Sequence, residues 1–159
     1  MGFRKTIFVI PFFFLSVLTY GNSLTVCPDC QITSIKAALE QAESRDSIIV
    51  KKGIYKEGNI LIEKAVELFG EDYPVVDGEY QTEIFSIFSD SVRISGFQIQ
   101  NVGFSYTQDR AAIKVNKSQG CVIDNNKVLD SFVGIYFAHS GNSIIRDNVL
   151  IGKAEEEYS

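Results

Sequence analysis

Three segments of this chain repeat one another: SDSVRISGFQIQN at 89–101, SQGCVIDNNKVLD at 118–130 and SGNSIIRDNVLIG at 140–152. The last two begin 22 residues apart (140 − 118). The first two begin 29 apart (118 − 89), because GFSYTQDR intervenes at 103–110. A unit this short cannot bury its own apolar face, so it must stack on its neighbours, which points to a solenoid.

From Asp46 onward the apolar runs are short: SIIV, NILI, AVELF, EIFSIF, SVRI, FQIQ, AAIKV, CVI, GIYF, SII and VLI. Turn pairs such as Lys52-Gly53, Asp77-Gly78, Gln119-Gly120 and Gly141-Asn142 punctuate them. Three brief strands per coil, each coil landing about 4.8 Å above the last, make an all-β fold, a right-handed parallel β-helix. In that arrangement Ile94, Ile123 and Ile145 share one inward column, and Ile99, Val128 and Leu150 share another. Asn126 and Asn148, just after Asn125 and Asp147, read as a bend-stabilising amide ladder. Asn tolerates left-handed backbone, and a buried amide can bond to the copies above and below.

Upstream of the strands, Ile32, Ile35, Ala38, Leu39 and Ala42 recur at helical spacing with Thr33 or Ser34 as N-cap, predicting a short amphipathic helix over 34–43. One apolar stripe suits a cap on the open end of a solenoid. At the N-terminus, Arg4 and Lys5 precede an apolar run from Ile7 to Leu18, broken only by Pro11 and Ser16, with small residues near Gly21. Residues 1–21 therefore read as a secretory signal, 22–31 as a lead-in, and 32–159 as the front part of a longer β-helix whose last coil has no closing element. Without the signal the formal charge is 13 − 20 = −7. No cluster of Lys and Arg suits phosphate neutralisation, so nucleic acid is not expected as a partner.

DSIIVKKGIYKEGNILIEKAVELFGEDYPVVDG, IFSIFSDSVRISGFQIQNVG and VGIYFAHSGNSIIRDN carry a family resemblance, with Gly53, Tyr55, Gly70, the 74–78 stretch, Gly96-Phe97 and 134–136 at pattern positions. Over roughly 32–153 the chain resembles the periplasmic NosD-type β-helix proteins that assist copper-site assembly in nitrous-oxide reductase. The fold implied is pectin-lyase-like. The resemblance implies a non-enzymatic, exported maturation factor working with an ATP-binding-cassette transporter and with the reductase, with copper or sulfur as cargo. Many of the same residues recur in β-helix domains that bind or process carbohydrate, which makes a carbohydrate-binding or lyase/epimerase-like protein the alternative.

Among candidate site residues, Cys27 and Cys30 in Cys-Pro-Asp-Cys alone have ligand-like spacing. Two soft thiolates could hold Cu(I), and the same pair could form a local disulfide. Cys121 reads as a small buried apolar residue and His139, the single histidine, as an exposed turn residue. The only methionine is Met1, so the mature chain offers no thioether. Asp77, Glu79 and Glu83 in one connection and Asp109-Arg110 in the 103–110 insertion are the carboxylate candidates. No matched acid and base recur on one face of successive coils, so catalysis is not expected here. Phe104 and Tyr106 in the insertion suit sugar stacking or protein docking.

Overall fold

The computed structural model describes residues 21–152. The signal-like segment, apart from Gly21, lies outside them. The chain opens with β1 (Ser23–Val26) and α1 (Ile35–Gln41) and then winds through repeated triplets of strands. The triplets are β2 (Ser47–Val50), β3 (Ile54–Tyr55), β4 (Ile60–Ile62); β5 (Glu67–Gly70), β6 (Val75–Asp77), β7 (Phe85–Ile87); β8 (Arg93–Ser95), β9 (Gln98–Gln100), β10 (Ile113–Asn116); and β11 (Val122–Asp124), β12 (Lys127–Ser131), β13 (Ile135–Ala138). β14 (Ile144–Arg146) and β15 (Val149–Gly152) begin the next coil.

Corresponding strands pair in parallel and form three sheets: β1-β2-β5-β8-β11-β14, β4-β7-β10-β13 and β3-β6-β9-β12-β15, here sheets A, C and B. The protein is thus a parallel β-solenoid, the class the repeat dictates. On sheet A the register places Ile48, Leu68, Ile94, Ile123 and Ile145 one above another. Sheet B stacks Tyr55, Val76, Ile99, Val128 and Leu150. Ile62, Ile87, Val115 and Phe137 do the same on sheet C. Ile48, Ile62, Leu68, Ile87, Ile94, Ile99, Ile123 and Val128 are fully buried. Each such side chain is worth about 1.5–3 kcal/mol on leaving water, so these columns hold the coils together.

The 22-residue step from Ile123 to Ile145 is not uniform. From Ile48 to Leu68 it is 20 (68 − 48), from Leu68 to Ile94 it is 26 (94 − 68), and from Ile94 to Ile123 it is 29 (123 − 94). The strands keep their register, and the extra residues fall at one corner of the coil, between sheets B and C. Successive connections there span 56–59, 78–84, 101–112 and 132–134. The turn from A to B never exceeds the length of 71–74. That turn holds the amide ladder: Asn126 Nδ2 donates to Asn148 Oδ1 at 3.0 Å and to Ile94 O at 3.0 Å, and Asn148 Nδ2 donates to Ile123 O at 2.8 Å. The left-handed backbone falls one residue earlier than the ladder, at Asn125 (φ 55°), Asp147 (φ 55°) and Gly96 (φ 83°).

α1 covers the first coil, burying Ile35, Ala38 and Leu39 against β1, β2 and β4. Ser34 is its N-cap, accepting from Ala37 N. The helix has no acidic residue in its first turn and no basic residue in its last. Its ends are satisfied from outside: Glu57 accepts from Ile35 N at 2.7 Å and Lys36 N at 2.9 Å, and Lys64 Nζ donates to Leu39, Glu40 and Ala42 carbonyls. Both charges complement the helix dipole. The lead-in contributes β1, which pairs with β2 and so belongs to sheet A; no apolar run in the sequence had marked it as a strand.

Candidate functional site

The variable corner gathers most of the chemistry outside the core. Thr82 and Glu83 stand on 78–84, Gln108, Asp109 and Arg110 on 101–112, and Lys114 on the outer face of β10. Together they line a depression of about 320 Å³. Glu83 lies 3.4 Å from Lys114 Nζ, and its other oxygen lies 2.8 Å from Ser86 Oγ and 3.3 Å from Asn59 Nδ2. Ser86 Oγ also sits 2.9 Å from Asn59 Oδ1. Glu83 is therefore not part of a carboxylate cluster with Asp77 and Glu79, although the sequence puts all three in one connection.

Asp77 projects from sheet B, where it accepts from Glu79 N at 2.9 Å, Asn101 Nδ2 at 3.0 Å and Gln100 Nε2 at 3.2 Å. Burial alone would raise its carboxyl, but these donors and the Lys56 charge outweigh that and leave it below the ordinary carboxylate range. Glu79 pairs with Lys56 at 3.0 Å. Both carboxylates thus brace coil corners.

The insertion is held by Arg110, whose Nη1 donates to Gln81 O at 2.8 Å and Phe104 O at 3.4 Å. Ser105 Oγ accepts from Thr107 N and Gln108 N. Phe104 packs edge-to-face against Tyr106, with centroids 4.6 Å apart, and against Phe132 of the next coil, 5.3 Å away. Phe132 was not singled out from sequence, and only the stacking of coils brings it to the loop.

A matched acid and base on one face also emerge only in three dimensions. Asp124 on sheet A receives Arg93 Nη2 at 2.7 Å from the preceding coil and Arg146 Nη2 at 3.3 Å from the following one. Arg93 also lies over the Phe69 ring at 5.1 Å. With both acceptor oxygens occupied by guanidinium groups, this trio reads as a brace between coils.

Cys27 and Cys30 are joined to each other in a disulfide. Cys121 is fully buried, and burial pushes its thiol up. His139 is an exposed turn residue with φ 52°. No group of three or more His, Cys, Asp or Glu is placed to hold a metal among the described residues. Copper(I) needs soft donors, and with the two sulfurs bonded to each other these residues do not fit a resident copper ion. The pair becomes two donors only on reduction.

A family of periplasmic copper-binding proteins, NosD, matches residues 39–158. The chain belongs to the NosD family. No curated protein and no solved structure shows a significant match. In this NosD chain Tyr55, Gly70 and Gly96, at pattern positions, are architectural. Gly70 and Gly96 lie on successive coils so close that a Cβ on either would stand 2.4 Å from the other's carbonyl oxygen. Tyr55 is buried and its hydroxyl donates to Lys51 O at 2.8 Å, closing the turn between β2 and β3. These three pattern residues thus serve the scaffold, and the disulfide lies outside the matched residues.

Proposed function

We propose that this chain is an exported, non-catalytic accessory protein that serves copper-site assembly in nitrous-oxide reductase, working beside a membrane transporter of the ATP-binding-cassette type. The observation that carries the reading is the family match over 39–158, whose described location is the periplasm and whose described ligand is copper. A solenoid in which Tyr55, Gly70 and Gly96 serve turns and coil packing is consistent with a presenting scaffold rather than a catalyst.

On this reading copper is cargo, and Cys27 and Cys30 take it up after reduction. A dithiol reductant supplies two electrons and two protons to open the disulfide. Cu(I) then displaces the thiol protons and binds the two thiolates. The pair lies between β1 and α1, at the end of the solenoid that α1 covers.

Deletion of the gene in its host, followed by purification of the reductase, tests the assignment. The expected result is a reductase depleted of copper and restored by the wild-type gene. A fully loaded reductase from the deletion strain overturns the assignment. Anaerobic Cu(I) titration against a competing chelator tests the cargo site separately. The reduced chain should bind about one equivalent, and the oxidised chain and the Cys27→Ser/Cys30→Ser variant none. Equal binding by all three removes the cysteines from the proposal and leaves the assembly role standing.

A further inference from the structure

We propose that the variable corner between sheets B and C binds a neutral oligosaccharide. The inference goes beyond the accessory role and does not rest on it. Its first basis is exposure. Tyr106 is 94% accessible, Phe132 74% and Phe104 45%, yet the three rings form one edge-to-face cluster. Rings ordered by one another while facing water offer flat apolar surfaces of the size of a pyranose C–H face.

The second basis is what surrounds the rings. Gln108 and Asp109 line both the depression that holds Glu83 and Lys114 and a second one, of about 500 Å³, bounded by Phe104, Tyr106 and Phe132. The two thus share a wall, and a ligand lying across it meets aromatic faces at one end and planar hydrogen-bonding groups at the other. The Asp109 carboxylate, the Thr82 hydroxyl and the Tyr106 hydroxyl have no partner within the described residues. Such groups suit the paired hydroxyls of a sugar, which both donate and accept.

The third basis is charge. Glu83 and Asp109 are balanced by Arg110 and Lys114, and Lys114 is already paired with Glu83. Two depressions whose combined lining carries no net formal charge neither attract a polyuronate nor repel an uncharged chain. The loop is also set in advance: Arg110 links its own end to the loop's start through Phe104 O and anchors it to the preceding coil through Gln81 O, so little ordering is required on binding.

The test is isothermal titration of the full chain with cellohexaose, chitohexaose and maltohexaose as neutral probes, and with oligogalacturonate as the anionic one. At least one neutral probe should bind saturably, with an affinity that changes less than about twofold between about 0.05 and 0.5 M salt. Tyr106→Ala, at a side chain too exposed to matter for folding, should weaken that binding about tenfold. Asp109→Asn should weaken it severalfold. Saturation by none of the neutral probes overturns the proposal, as does tighter binding of oligogalacturonate or unchanged binding by Tyr106→Ala. Loss of a co-purifying protein from the Tyr106→Ala variant, with no sugar bound by the wild type, overturns it in favour of a protein-docking corner.

Discussion

Asn126 and Asn148, one coil apart, are joined so that the Oδ1 of Asn148 accepts both the backbone N–H of Asn126, at 2.9 Å, and its side-chain amide, at 3.0 Å. The Oδ1 of Asn126 in turn accepts Phe97 N from the coil before, at 3.0 Å. A fully buried polar group that satisfies three neighbours cannot be removed without leaving them unpaired. Asn126→Ala should lower unfolding free energy by about 3 kcal/mol in urea, with an unchanged denaturant slope. A loss under about 1 kcal/mol would mean that water replaces the ladder.

Gly96 combines a left-handed backbone, φ 83°, with a neighbouring carbonyl 2.4 Å from where a Cβ would stand. Gly120 has a similar φ, 68°, but its nearest neighbour is Ser91 Oγ at 3.7 Å. Gly120→Ala should therefore cost only the conformational term, about 1 kcal/mol. Gly96→Ala should cost at least twice that, because Gly70 must move with its coil. Thermal melts of the two variants compare them directly, and equal shifts would refute the close-contact account.

Burial alone would raise the Asp124 carboxyl. Hydrogen bonds from Arg93, Ser95 and Arg146 and the Arg93 charge outweigh it, so the group titrates below its ordinary value. A depressed folded-state pKa contributes stability that is present above the unfolded value, about 3.9, and is lost as pH falls through the folded one. Stability should decline below about pH 4, and Asp124→Asn should flatten that decline while lowering stability at neutral pH. Parallel acid profiles of the two proteins would disprove the assignment to Asp124.

The Cys27–Cys30 bridge closes a short loop at the β1 end of the solenoid. The chain-entropy relation gives such a loop about 2 kcal/mol. Replacing both cysteines with serine should lower stability by no more than that. Amide exchange should accelerate in β1 and stay unchanged in β11, since each coil contacts only its neighbours. Faster exchange throughout would show that the first coil nucleates the rest.

Much of the fold was legible because a stacked coil repeats its own side-chain pattern. The Ile94–Ile123–Ile145 column, the Asn126–Asn148 ladder and the Ser34 cap all rest on residues at short, regular spacing. The regular period itself is legible only in part, since of the steps from Ile48 to Ile145 one matches 22 residues, one is two residues shorter, and those of 26 and 29 carry insertions at a single corner. β3, two residues long, and β6 have too few residues to show alternation. β1 shows itself only through its pairing with β2.

The site was less legible. Sequence marked Phe104, Tyr106, Asp109 and Arg110 because they interrupt the repeat, and marked Cys27 and Cys30 by spacing. Phe132, Thr82 and Lys114 carry no such signal, and proximity in sequence groups Glu83 with Asp77 and Glu79, which it does not join in space. The repeat alone establishes that the chain stacks, which inward residues form the columns and where the pattern is broken. Three-dimensional packing is what brings the breaks to one corner, sets Glu57 and Lys64 at the two ends of α1, and makes Arg93 and Arg146 converge on Asp124. The reason is physical: a repeat fixes which residues face inward, whereas the neighbours of an outward side chain come from coils 20 to 29 residues away, at distances set by each insertion.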